Sequence, residues 1–251
     1  MPITDQLLPS SPNTCTGSEF IKNNMNNSIP DRENNILQQF LLGNIPDFLR
    51  KFAVVKVTEG KNSITYLVTS DYLAIGNNND YVRMPMNPLT AQAIADKYDC
   101  TLPTRKMVND IWKQSVIKLQ PLPWGPPYDA SMMSTSRYDI HNQRIQNQLK
   151  DKDITALISG QKKDVVLTNL FSPNNPKKKL ALYGWIQTNG QAIQPMPGGH
   201  EDTYADYSHG IRLIANDVIV NEKPMRIQDV FKDASLWNLI SDEGPLTFLR
   251  Y

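Results

Sequence analysis

The sequence predicts an α+β fold, a largely antiparallel sheet with helices packed mainly from the N-terminal half. Patterns with helical spacing fall mainly in the first 150 of the 251 residues. β-Branched and aromatic runs fall mainly in the last 100, with one strand pair ahead of the helices. No period repeats, so alternating βαβ units are not indicated.

In chain order, residues 1–30 are rich in Ser, Asn, Pro and Thr and read as a loose tail, flexible or strapped over the surface, ahead of a single domain over 31–251. ENNILQQFLLGNIP gives a short helix with Ile36, Leu37, Phe40 and Leu41 on one side, stopped by Gly43 and Pro46. KFAVVKV and SITYLVTSDYLAI, separated by EGKN, read as a hairpin. Asn87-Pro88 starts a second helix with Leu89, Ala93 and Ile94 inward. TLPTRKMVNDIWKQS gives a third, with Met107, Val108, Ile111 and Trp112 at helical spacing.

LQPLPWGPPYDASMM is too proline-rich for regular structure and predicts a long loop carrying Trp124 and Tyr128. YDIHNQRIQNQLKD reads as a helix with Ile140, Ile145 and Leu149 inward. KDVVLTNLF and KKLALYGWIQTNGQAIQP read as strands, the second turning at Asn189-Gly190. VIVNEKPMRI predicts a last hairpin, and DASLWNLISDEGP a helix capped by Asp233 and stopped at Gly244-Pro245.

The formal charge of +1 gives no field to hold nucleic acid or an anionic membrane surface. Lys177-Lys178-Lys179 reads as a solvated loop. No apolar run approaches the roughly 18 residues of a spanning helix. MPITDQLLPSSPNTC lacks a secretory leader pattern, so the expectation is a soluble, cytoplasmic chain. Two cysteines, Cys15 and Cys100, are too few for a disulfide framework.

Candidate chemistry centres on YADYSHGIRLI, residues 204–214, where polar residues run directly into an apolar strand pattern. His141, His200 and His209 are the three histidines, so any imidazole chemistry draws on them. His209 has Asp206, Tyr207 and Ser208 before it and Gly210 after, a residue that permits close approach of a ligand. If the segment is extended, Asp206 and Ser208 share one face and Tyr207 and His209 the other, so an Asp206–His209 pair needs a bend. The bland reading is a cross-strand polar pair.

The first functional reading is a hydrolase or acyl-transferase on amide bonds of a peptide or cell-wall-type substrate. His209 is its general base, Asp206 or Asp202 the orienter, and Lys162 and Arg212 the substrate or oxyanion contacts. Cys100 is its nucleophile, placed ahead of a helix start that would lower its pKa, and Ser208 belongs to the same catalytic group. The second reading is a metal-assisted hydrolase, in which His200, His209 and Asp202 form a donor set that suits zinc. The third is a non-catalytic glycan- or peptide-binding module, with Trp124, Tyr128, Tyr183 and Trp185 as an aromatic wall and Tyr207 beside it. No cofactor other than zinc is indicated.

SHGIRLIAND, residues 208–217, resembles the active-site signature of L,D-transpeptidases, in which Ser-His-Gly is followed by a catalytic cysteine. The resemblance places Ser208, His209, Gly210 and Arg212 in that pattern, and His200 at its upstream histidine; Ile211 stands where the family has its cysteine. CTLPTRKMVNDIW is similar to the Leu-Pro-Thr helix entry of formylglycine-generating enzymes and their lectin-like relatives. The blocks GQKKDVV, LYGWIQTNGQAIQP and YADYSHGIRL resemble those of uncharacterised bacterial proteins, a likeness that implies no activity.

Overall fold

The computed structural model describes residue 8 and residues 15–171, 179–196 and 199–251. Lys177, Lys178 and Gly198, and most of the expected tail, lie outside the described residues. The fold is α+β. Helix α1 (Gly17–Asn23) opens on a capping box between Thr16 and Glu19 and buries Phe20 and Ile21, so the loose-tail expectation is corrected there. Helix α2 (Ile29–Leu41) begins earlier than the apolar pattern suggests, because Ser28 caps it and Pro30 sits in its first turn. Ile36 and Phe40 are buried, whereas Leu41 faces solvent.

Strands β1 (Phe52–Glu59) and β2 (Asn62–Thr69) form the expected hairpin, paired along their whole length. A short pair, β3 (Ala74–Gly76) and β4 (Tyr81–Arg83), follows. Then come α3 (Pro88–Lys97), β5 (Cys100–Thr101), α4 (Arg105–Gln114) and β6 (Ile117–Lys118). Asn87 and Thr104 cap α3 and α4. On α3 the inward residues are Ala91, Ile94 and Ala95, while Leu89 is exposed. After the irregular proline-rich loop, α5 (Thr135–Leu149) buries Tyr138, His141, Ile145 and Leu149 and turns Ile140 outward.

The strands of the second half are β7 (Ile158–Ser159), β8 (Lys163–Val165), β9 (Leu182–Ile186), β10 (Ala192–Gln194), β11 (His209–Gly210), β12 (Ile214–Ala215), β13 (Asp217–Val220) and β14 (Lys223–Arg226). The expected last helix is displaced. A helix α6 (Ile227–Lys232) follows β14 directly, and the Asp233 region holds only a single tight turn at Trp237–Leu239. None of the helices among the described residues is long and apolar enough to cross a membrane.

A curled antiparallel sheet is built around β2, which pairs β1 on one edge and β13 and β12 on the other; β14 and β5 complete it. Residues from both ends of the chain thus share one sheet, and one hydrophobic cluster runs from Leu8 to Leu246. A smaller sheet, in the order β10-β9-β8-β11, is antiparallel except at β8–β11, where His209 stands opposite Lys163 and Gly210 opposite Asp164 in parallel register.

Gly210 serves packing at this junction. A Cβ there would lie 2.4 Å from Cδ1 of Tyr72 and 2.7 Å from Cβ of Lys162. The expectation that this glycine gives a ligand close approach is corrected: the Tyr72 ring takes that space. Gly210→Ala is therefore expected to destabilise the fold by about 1–3 kcal/mol through overpacking, read as a lower urea midpoint at unchanged slope.

Candidate active site

The bend that an Asp206–His209 pair requires is present, and Asp206 itself makes it. Its Oδ1 accepts the Ser208 backbone N–H at 2.8 Å and the Ser208 hydroxyl at 2.5 Å, while the His209 N–H bonds back to the Asp206 carbonyl at 3.1 Å. This is an Asx-turn closed by a backbone turn. The chain reverses over Tyr207-Ser208, and His209 enters β11 with Nε2 4.0 Å from Asp206 Oδ1, beyond hydrogen-bond length. The second Asp206 oxygen accepts from the Tyr204 hydroxyl at 3.0 Å. Three donors therefore fix the carboxylate before any ligand arrives.

Alternation along β8 and β11 then divides the polar residues between two faces. On one face lie His209 and Lys163, with Asp206 and Tyr204 beside them. The His200 ring stacks on Tyr204 at 3.8 Å, and the Tyr204 ring meets His209 at 5.6 Å. On the other face lie Lys162, Asp164 and Gly210, with Tyr72 and Arg212. There the Tyr72 hydroxyl donates to Asp164 at 2.8 Å, and the Arg212 guanidinium stacks 4.2 Å from the Tyr72 ring. Arg212 also donates to the carbonyls of Thr69 and Ile158.

A cavity of about 10 Å³ on this second face touches Tyr72, Ser159, Lys162, Asp164 and Arg212. That is space for about one water and for no substrate. Arg212 is thus a buried structural cation, and its expected role as a substrate contact is corrected.

His209 is completely buried, and neither ring nitrogen has a hydrogen-bond partner among the described residues. Burial lowers its pKa, Lys163, His200 and Lys162 lower it further, and Asp206 only partly opposes them; the result is about 4. Burial alone would raise the Asp206 carboxyl, but the His209 and Lys163 charges and the Ser208 hydrogen bonds outweigh it and hold it at about 2. At neutral pH the pair is a neutral imidazole beside a fixed carboxylate. Lys162 is buried with one hydrogen bond, to the Tyr207 carbonyl at 2.7 Å. Burial and the Arg83 charge bring its pKa down to about 7 against the pull of Asp206 and Asp71.

The other expected residues do not join this group. Cys100 lies in β5 of the large sheet, paired opposite Ala215, with its thiol donating to the Tyr98 carbonyl at 3.3 Å. It is 3% exposed, and burial, with the Asp99 charge, pushes its pKa up. The helix that follows starts five residues later, at Arg105 behind its cap Thr104, so no helix terminus activates the thiol. Cys100 is corrected from nucleophile to core residue. Ser208 gives its hydroxyl proton to Asp206 rather than to a histidine, so it is a turn residue.

Among the described residues no three His, Cys, Asp or Glu side chains gather where they could hold a metal ion. Asp202 is buried, and Tyr204 separates the exposed His200 ring from His209. The zinc donor set His200, His209 and Asp202 is therefore not assembled.

The aromatic wall is also divided. Tyr183 donates to Asn109 and packs in a separate cluster with Phe171 and Ile186. Trp185 is in the core, its indole N–H bonded to the Gln161 carbonyl at 3.1 Å. Tyr128 is exposed on the loop. Trp124 and Trp185 do meet through Tyr207, at ring separations of 5.2 and 6.1 Å. The guanidinium groups of Arg137 and Arg144 already lie 4.4 and 5.0 Å from the Trp124 ring.

Tyr204 is the site neighbour that the sequence reading left unassigned; Lys163, beside Lys162, and His141, one of the three histidines, are in its inventory but not in the Asp206–His209 group. The alternation of Lys163 with Lys162 and of Tyr204 with Asp206 is the only sequence signal that places Lys163 and Tyr204 there. Comparison with known protein families, with curated proteins and with solved structures found no match.

Two measurements check this geometry. In native protein Cys100 is expected to resist iodoacetamide and to react fully once unfolded, read by mass spectrometry. His209 is expected to titrate by NMR near pH 4, well below the ordinary 6.5. Between those two values the unfolded chain binds a proton that the folded chain refuses, so stability falls as pH drops through that window. The His209 contribution is at most about 3 kcal/mol, and it is read as the difference in acid sensitivity between wild type and His209→Gln. Taking the difference removes the opposite contribution of Asp164, whose carboxyl burial raises to about 7 despite Arg212 and the Tyr72 hydrogen bond.

Proposed function

We propose that this protein is a hydrolase or acyl-transferase of amide or related acyl bonds that works by general acid–base chemistry at His209 and Asp206. One observation carries the reading: a fully buried imidazole with both nitrogens unpartnered among the described residues, beside a carboxylate already fixed by three donors. A buried polar group without a partner costs about 1–3 kcal/mol, and such groups concentrate where a ligand completes the set.

The nucleophile in this reading is water or an acceptor hydroxyl or amine, since Cys100 is remote in the sheet and Ser208 is committed to Asp206. Neutral His209 takes the proton of the attacking O–H or N–H as the new bond to the acyl carbon forms. The resulting imidazolium is stabilised by Asp206 at 4.0 Å. The same proton then passes to the departing amine as the scissile bond breaks. Lys163, whose ammonium lies 4.7 Å from the Trp185 ring on the His209 face, is the cation nearest to hand for the developing oxyanion. Entry is past Tyr204 and His200, which cover the pair.

The metal-assisted alternative lacks an assembled donor set. The binding-module alternative loses Tyr183 to another cluster and finds the Trp124 ring already in contact with two guanidinium groups.

The test is a screen of chromogenic amides and esters with purified protein. His209→Gln is expected to reduce turnover by about 10²–10⁴-fold with far-UV circular dichroism unchanged, and Asp206→Asn to reduce it by a smaller factor. Cys100→Ala should leave turnover in place. Full activity in a folded His209→Gln protein sinks the proposal.

A further inference from the structure

The charges around Tyr207 do not balance. Its ring is edge-on to His141 at 4.9 Å as well as to Trp124 and Trp185, its carbonyl accepts from Lys162, and its hydroxyl accepts the Trp124 backbone N–H at 2.7 Å. Four cations surround this cluster: Lys162 beneath it, Lys163 on Trp185, and Arg137 and Arg144 on Trp124. Among the described residues none of the four is in a salt bridge. The nearby carboxylate, Asp206, is occupied by Ser208 and Tyr204.

Other buried cations of this chain are better satisfied: Arg32 donates to the hydroxyls of Thr135 and Tyr138, and Arg50 to Asp47 and two carbonyls. The buried Arg83 holds Asp71 at 2.5 Å, and the buried Arg212 has Asp164 at 3.6 Å. Lys162, equally buried, has only a carbonyl. His141 next to it is 0% exposed, and among the described residues neither ring nitrogen is bonded, although a neutral imidazole always carries one N–H to donate. Buried cations and donors of this kind are stable when an anion meets them. Trp124, Lys163 and Arg144 are half-buried, so the cluster reaches the surface along one rim.

We propose that the Tyr207 cluster seats an oxyanion group of a small ligand, a carboxylate or a phosphate, with Lys162 and Arg144 supplying charge and His141 an N–H. This rests on the reading of the adjoining His209 face as a substrate site and names the substrate class: an acyl compound that carries an anionic group. Lys162 is then a binding residue, and its neighbour Lys163 faces the reacting bond.

The experiment uses the full chain and two probes, inorganic phosphate and acetate, titrated at constant ionic strength set with sodium chloride. Tryptophan fluorescence and melting temperature are followed. Saturable binding of one probe is expected, weakened about tenfold or more by Lys162→Met and by Arg144→Gln. The control Arg250→Gln, which removes a surface ion pair with Asp96, should bind as wild type. Which probe saturates tells carboxylate from phosphate.

His209→Gln separates the two proposals, because the anion should still bind where turnover is lost. No saturable binding of either probe overturns the inference, as does binding that neither variant weakens. If Lys162→Met does not fold, Arg144→Gln, on the outer part of α5, decides alone.

Discussion

The hydrogen bond from the Ser208 backbone N–H to the Asp206 carboxylate is the constraint on which the candidate site depends. It converts a stretch that alternation alone would extend into a turn. It aims His209 back toward the residue that made the turn, and it delivers the chain to β8 in parallel register. Because His209 then stands opposite Lys163 and Gly210 opposite Asp164, one set of polar side chains faces the Tyr204 side and the other sinks into the interior. A register shift of one residue would exchange the two sets and leave Tyr72 without the space that Gly210 gives it.

The interior face shows how this chain tolerates buried charge. Asp71 accepts from Arg83, from the Gln161 side chain at 2.8 Å and from the Tyr72 backbone N–H at 2.7 Å, and Arg83 reaches Asn142 as well. Removing one member of such a set would leave its partner charged and dry, which costs far more than the pair contributes. This network ties β4, α5 and the segments before β3 and β8 together around the small sheet. The outer face is different in kind. His209 is as deeply buried, yet among the described residues neither of its ring nitrogens has a partner of the kind that Arg83 and Asp71 have. Satisfaction is incomplete on both sides of β8, since Asp164 Oδ1 and Ser159 Oγ on the interior face also lack a hydrogen-bond partner among the described residues; what sets the His209 side apart is the fixed Asp206 carboxylate beside the unpartnered imidazole.

Much of the fold was legible in the sequence because local rules and packing agreed. Asn87-Pro88 and Thr104 start helices where caps predict, the EGKN and Asn189-Gly190 turns join antiparallel strands, and the proline-rich loop stays irregular. The errors are where tertiary contacts override a local pattern. Leu41, Leu89 and Ile140 carry the right residue type on the wrong side of their helices. The segment from Gly17 is helical because Phe20 and Ile21 find a core that its polar composition does not announce. DASLWNLISDEGP has a cap and a stop but little helix, since α6 forms just before it.

For the site, the sequence by itself determined the chemical inventory: three histidines, the Asp206-to-His209 spacing that a turn can close, and lysines alternating at 162 and 163. Only the tertiary structure decided which of these meet. Cys100 and His209 are both strand residues in polar-looking stretches, but they belong to different sheets, and sheet membership depends on pairings with distant segments, β12 for Cys100 and β8 for His209. Burial likewise cannot be read from a residue's own neighbours in sequence. It turned Cys100 into a core thiol, Arg212 into an internal cation and His209 into a neutral imidazole without a partner among the described residues, because desolvation depends on what the rest of the chain packs against each side chain.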